Sequence, residues 1–236
     1  MNRLVVAGAV VLLPLSLAAP AASAVTVTTQ NVKYTLPPAQ AHHDINQAAE
    51  FSSILFTQEM GLRHARAFAP KGWGTAHAKG VHRGDCATFW DRDRWRLVRW
   101  RTFTTSNGSF RNGHRFGLVT VLRDSATEIA TICVHMPTGW RTSSQRRIAY
   151  ADGMANVRAV AHRLVDRYHR VVVGGDWNRI WGRRAPLSGF RTRRPPQGTG
   201  HGTIDYFWWH GARFVRQRVI GHTYSDHQGV RLHVDD

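Results

Sequence analysis

The sequence predicts an α/β domain with two packed β-sheets. A long stretch near the middle, Arg146 to Tyr168, carries Met154, Val157, Ala161, Leu164 and Tyr168 at spacings of three and four, the mark of a helix with one apolar face. Short runs rich in Val, Ile, Thr and aromatic residues lie on both sides of it, bounded by Gly, Pro, Asn and Asp, as strands are. Strand-rich halves around a central helix, with no internal repeat and no low-complexity linker, point to one domain spanning 25–236.

In chain order, Val25 to Gln30 alternates apolar and polar residues and leads into Asn31 as a strand, which Pro37 and Pro38 end. Ala39 to Phe51 reads as a short helix, and Ser53 to Gln58 as a strand delivering Glu59. A weakly patterned region rich in Gly, His and Lys follows, to about Asp85. Cys86 to Trp90 and Trp95 to Phe103 read as a hairpin around Asp91-Arg92-Asp93-Arg94; Asn107-Gly108 and Asn112-Gly113 mark turns. Arg115 to Leu122 and Ala126 to Val134 form another strand pair, ending at His135. Gly153 costs the central helix about 1 kcal/mol against alanine, which its long apolar face tolerates. Val171-Val172-Val173-Gly174-Gly175-Asp176 is a strand buried on both faces that stops abruptly. An Arg- and Gly-rich loop from Arg179 to Gly202 precedes strands at Thr203 to Trp209, Phe214 to Gly221 and Gly229 to Val234.

Residues 1–24 stand outside that domain. Asn2 and Arg3 precede the apolar run Leu4 to Leu17, and Ala22-Ser23-Ala24 has the small-x-small form of a cleavage site, so a secretory signal peptide cut after Ala24 is expected. The run is short of the roughly 20 residues of a membrane span, which disfavours an uncleaved anchor. Of the 32 basic residues only Lys33, Lys71 and Lys79 are lysines, and the formal net charge is +17. Such a field attracts polyanions, nucleic acid above all, although arginine-biased codon usage produces the same composition. Cys86 and Cys133 either close one disulfide, worth about 4 kcal/mol in the chain-entropy picture, or remain two buried thiols; neither has zinc-site spacing.

Polar residues recur where apolar strands end: Gln30-Asn31, Gln58-Glu59, Val134-His135, Asp176-x-Asn178 and Ser225-Asp226-His227. Asp205 sits inside the apolar run Thr203 to Phe207, where a charge is expensive unless paired. Four of the chain's 15 acids stand at these positions. If the chain stays extended through Asp176 and Asn178, both side chains leave one face of the strand, an oxygen-rich pair suited to a hard cation or a phosphoester; a capped Asp-x-Asn turn is the alternative.

Gln30-Asn31, Gln58-Glu59, Val134-His135, Gly175-Asp176-Trp177-Asn178, Ile204-Asp205-Tyr206 and Ser225-Asp226-His227, in that order over almost the whole chain after residue 24, resemble the endonuclease/exonuclease/phosphatase superfamily, the DNase I-like group. The resemblance implies a four-layer α/β sandwich, two packed mixed sheets flanked by helices, with the active site at the strand ends and a metal-dependent phosphoester hydrolysis. It implies Mg²⁺, with Mn²⁺ or Ca²⁺ as alternatives, held by Asn31, Glu59 and Asp226. It gives Asp176 and Asn178 the attacking water and phosphate oxygens, His227 the role of base or phosphate ligand fixed by Asp205, and His135 the developing charge or the leaving group. Two departures touch substrate contacts: Gly61 stands where DNase I-like members carry a DNA-contacting arginine, with Arg63 later, and Ser225-Asp226-His227 continues to Gln228 rather than proline.

Nucleic acid, DNA or RNA, is the expected substrate. Arg179, Arg183, Arg184, Arg191, Arg193 and Arg194 follow the Gly-Asp-x-Asn motif, with Trp181 and Phe190 among them, as a groove that tracks phosphates and stacks bases requires. A phospholipid phosphodiesterase of the sphingomyelinase kind, a small-molecule phosphatase and a non-catalytic polyanion-binding module are the alternatives. No stable membrane anchor and no second subunit are expected.

Overall fold

The computed structural model describes residues 24–61, 63–77, 85–107, 114–125, 127–139, 141–200 and 202–235. Residues 1–23 of the expected leader and the turns at 108 and 112–113 lie outside these residues. The elements run β1 (Val25–Asn31), α1 (Pro38–Ala49), β2 (Ile54–Gln58), α2 (Ala65–Phe68), β3 (Trp73–His77), β4 (Cys86–Asp91), β5 (Arg96–Asn107), β6 (His114–Arg123), β7 (Glu128–His135), α3 (Ser144–Val165), β8 (Arg170–Asp176), β9 (Asp205–His210), β10 (Arg213–Ile220) and β11 (Gly229–Asp235).

They build two mixed sheets, one in the order β10-β11-β1-β2-β4-β3 and one in the order β5-β6-β7-β8-β9. Each has a parallel pair at its centre, β1 with β2 and β7 with β8, and antiparallel neighbours outside it. Alternation along the strands sorts the side chains. Val25, Val27, Ile54, Phe56, Leu118, Val172, Phe207 and Leu232 fill the space between the sheets, while Val171 and Val173 turn outward to α3. Val157, Ala161 and Leu164 of α3 cover the five-stranded sheet, and Ala41, Ile45 and Ala48 of α1 cover Leu55 and Phe89 of the other. The result is four layers: helix, sheet, sheet, helix.

Three readings change on folding. Segments 86–90 and 95–103 are not a hairpin, because β4 belongs to one sheet and β5 to the other. The turn between them carries the chain across the core, with Trp95 buried beneath it. The weakly patterned region holds a strand, β3, made of poor strand formers. Its Gly74 lies flat under the Trp90 ring, where a Cβ would come within 2.3 Å. Gly153 is required rather than tolerated, since a Cβ there would stand 2.2 Å from the Thr105 carbonyl oxygen and push α3 off β5. Cys86 and Cys133 are both free and buried, and Gln58 Nε2 lies 3.2 Å from the Cys133 sulfur.

Candidate active site

Strand direction explains why the polar residues meet. β1, β2, β7 and β8 all finish at one edge of the sandwich, delivering Asn31, Glu59, His135 and Asp176. β9 and β11 run the opposite way and begin at that edge, with Asp205 directly across from Asp176 and His227 just ahead of β11. A cleft of about 520 Å³ opens there, lined by Glu59, Asp176, Asn178, Asp226 and His227 among others. That volume lies within the usual range for small-molecule pockets.

Gly175 aims the last strand residue. Its φ of +147° excludes other residues, and a Cβ would lie 1.9 Å from the Val134 carbonyl oxygen on the neighbouring strand. The strand ends at Asp176, and Asn178 adopts φ +49°. The Asp176–Asn178 pair is therefore set by a turn, not by strand alternation. The Asn178 N–H donates to Asp176 Oδ1 at 2.8 Å, and its side-chain amide donates to the Met136 carbonyl at 2.9 Å. Asparagine suits this left-handed backbone because its short polar side chain bonds locally.

At the centre, Asn31 Nδ2 donates to Glu59 Oε1 and to Asp176 Oδ2, 3.1 Å each, drawing two carboxylates together. Glu59, itself at φ +59°, also accepts from the Tyr34 N–H at 3.2 Å. His135 lies beneath them, fully buried, with Nε2 3.5 Å from Asp176 and 3.9 Å from Glu59. On the other wall His227 Nδ1 donates to Asp205 Oδ2 at 2.9 Å, and the Asp205 N–H donates to Thr199 Oγ1 at 3.2 Å. Burial pushes the Asp205 carboxyl up to about 6, against the pull of His227. Burial also opposes charge on His227, but Asp205, Asp176 and Asp226 outweigh it and raise the imidazole to about 9. Each group thus favours the charged form of the other, a carboxylate paired with an imidazolium.

No protein-family profile and no curated protein sequence matches the chain. Solved structures do. Zebrafish (D. rerio) TDP2 complexed with single-strand DNA product is 12% identical with a TM-score of 0.71, covering 91% of this chain and 100% of that one. An endonuclease/exonuclease/phosphatase family protein from Bacteroides thetaiotaomicron is 14% identical with a TM-score of 0.69, covering 91% and 95%. The human Nocturnin catalytic domain with bound sulfate anion is 16% identical with a TM-score of 0.64, covering 89% and 94%. The chain has the DNase I-like fold.

Within this DNase I-like frame, a cation fits the donor set. Ligand atoms of Glu59, His135 and Asp176 lie within 4.8 Å of one another, as do those of Asp176, Asp205 and His227. Among the described residues, both ring nitrogens of buried His135 and Oδ1 of Asp205 meet no hydrogen-bond partner. The carboxylates of Glu59 and Asp176 supply hard oxygens, the chemistry a magnesium-class ion prefers.

The expected site residues take these places. Asp226 lines the cleft with its carboxylate 3.1 Å from Lys33 Nζ. Asn31 offers the carboxylates its N–H groups, while its oxygen accepts from the Lys33 N–H at 3.0 Å, so it positions ligands. His135 is absent from the cleft lining and lies behind Glu59 and Asp176. None of Arg179, Arg183, Arg184, Arg191, Arg193 and Arg194 lines it either. Arg191 bridges Trp209 near the far end of β9, Arg193 covers Phe214, Arg184 stacks on Trp181 at 3.7 Å and Arg179 lies over Tyr150. Among the described residues, the basic side chains lining the cleft besides His227 are Lys33 and Arg141. Arg63 donates to the carbonyls of Lys33, Tyr34 and Leu36, shaping the cleft's rim.

Two supporting acids had no readable signal. Asp85 Oδ1 lies 3.7 Å from His135 Nδ1. Asp44, buried in α1, accepts from the N–H groups of Tyr224 and Ser225 at 2.9 Å each and so clamps the turn that carries Asp226 and His227.

Proposed function

We propose that the chain is a secreted, divalent-metal-dependent phosphodiesterase that hydrolyses nucleic acid. One observation carries the reading: two carboxylates bridged by Asn31 face a carboxylate–imidazolium pair across one cleft, with Lys33 and Arg141 at its wall. A cation held by Glu59 and Asp176 would polarise the phosphoryl oxygen and neutralise charge developing on it. His227, kept protonated and oriented by Asp205, donates to a second phosphoryl oxygen. Asp176, at the cleft with its other oxygen tied to the Asn178 N–H, aligns the attacking water. Lys33 and Arg141 hold the flanking phosphates. Secretion rests on the leader at 1–24, and nucleic acid on the net charge of +17 together with the cationic cleft wall.

The test incubates the mature protein with plasmid DNA, RNA and sphingomyelin, with Mg²⁺ and then with EDTA. Nucleic-acid degradation that stops with EDTA and resumes on added Mg²⁺ is expected. Lipid turnover alone, or retardation of DNA without cleavage, refutes the proposal.

A further inference from the structure

A second cationic recess lies on the outer face of the six-stranded sheet, away from the cleft. Helix α1 packs over β2 and β4 and leaves β11 and β10 uncovered. Thr26, Phe51, Arg216, Arg218, Arg231 and His233 enclose about 220 Å³ there. Thr26 precedes Asn31 by five residues of β1, so the recess stands roughly 17 Å down the strand from the cleft.

Three features of this recess are unfavourable to folding. Arg218 pairs directly across the β10–β11 ladder with Arg231, and Arg216 with His233, and like charges placed opposite one another destabilise a sheet. Among the described residues no carboxylate lines the recess itself. Burial lowers the Arg231 and His233 pKa values and the neighbouring arginines lower them further, with Glu50 and Asp235 only partly opposing the shift. Phe51, just past the end of α1, holds φ +60°, a position where glycine is usual and an aromatic residue is strained. Its ring is nonetheless 78% exposed, with the Arg231 guanidinium 5.6 Å away. Arg231 is pre-set by Ser52 Oγ and the Glu50 carbonyl. A strained, solvent-facing aromatic ring beside three guanidinium groups, one of them pre-oriented by neutral oxygens, is what a base stacked over a gripped phosphate requires.

We propose that this recess binds a nucleic-acid strand, Arg216, Arg218 and Arg231 holding its phosphates and Phe51 stacking a base, as a second contact remote from the cleft. The inference takes its ligand class from the nuclease reading but is tested apart from it. Binding of a short fluorescent single-stranded oligonucleotide is measured in EDTA against salt concentration. The proteins are the wild type, Arg216→Glu/Arg218→Glu, Phe51→Gly, and a control, Arg163→Glu/Arg167→Glu, that removes the same charge from the last turn of α3 and the turn after it, on the opposite layer. Turnover of a small chromogenic phosphodiester is measured alongside.

The β10 pair should weaken binding about tenfold or more and flatten the salt dependence by a slope of about 1.4, the release expected for two phosphate contacts on a single strand. Phe51→Gly should weaken binding while leaving the melting temperature equal or higher, since glycine relieves the backbone. Small-substrate turnover should be unchanged in all. Equal weakening by the α3 control, unchanged binding in the β10 pair, or a loss confined to anionic lipid vesicles overturns the site. If the wild type binds DNA through this recess yet cleaves none, the cleft reading fails and the site stands. If DNA is cleaved and bound as before without the two arginines, the site fails and the cleft reading stands.

Discussion

Replacing Asp44 with alanine tests whether the catalytic turn is held from behind. Asp44 is fully buried and accepts two backbone N–H bonds, from Tyr224 and Ser225, at 2.9 Å each. Alanine leaves both donors without an acceptor. The Ser225 N–H is buried and should carry the full cost of an unpaired donor, while Tyr224 is 54% exposed and water can partly replace its bond. At about 1–3 kcal/mol for a buried unpaired group and less for the wetter one, the loss should be about 3 kcal/mol. For a domain of this size that is a fall in Tm of about 6–12 °C. The turn also positions His227, so turnover measured below the transition should drop by about 10- to 100-fold, the scale of a misplacement near 1 Å. Asp44→Asn keeps one acceptor oxygen and should fall between. Urea denaturation and hydrolysis of a chromogenic phosphodiester measure the two effects. An unchanged midpoint in Asp44→Ala refutes the clamp, and a lowered midpoint with undiminished turnover refutes its link to the site.

Three more outcomes follow from the site geometry. Gly175→Ala brings a Cβ within 1.9 Å of the Val134 oxygen at a φ that alanine resists, so a loss of more than about 3 kcal/mol and poor recovery of soluble protein are expected, checked by expression and thermal melting. His227→Ala removes the donor to the phosphate and should lower kcat by about 10²- to 10⁴-fold with circular dichroism unchanged, near-normal activity being the contrary result. Lys33→Met should cost under about 1 kcal/mol, because the pair with Asp226 is 40% exposed on each side. It frees Asp226 toward the cleft, so calorimetry should show tighter Mn²⁺ binding; an unchanged affinity would mean that the lysine does not withhold that carboxylate.

The strands were legible because their signals are local. Three valines before Gly174-Gly175, alternation in Val25 to Gln30, and the three-and-four spacing of α3 each need only a short window of sequence. β3 escaped because Gly, Thr and Ala carry little apolar signal, and the supposed hairpin at 86–103 failed because a crossover between sheets looks the same along the chain. The extended reading of Asp176 to Asn178 missed a left-handed residue that only the turn reveals.

The sequence by itself determined which polar residues stand at strand ends, and the order of those motifs was enough to expect the fold. Only the tertiary structure decided what each of them touches. Asp176 meets Asn31 across 145 positions and Asp44 meets the 224–225 turn across about 180, while none of the six arginines after Asn178 lines the cleft and Arg191 bridges Trp209 on β9 instead. Strand propensity and burial pattern are properties of neighbouring residues. The partner of a charge is chosen by whichever group the folded sheets bring within about 3 Å, and no local window of sequence contains that distance.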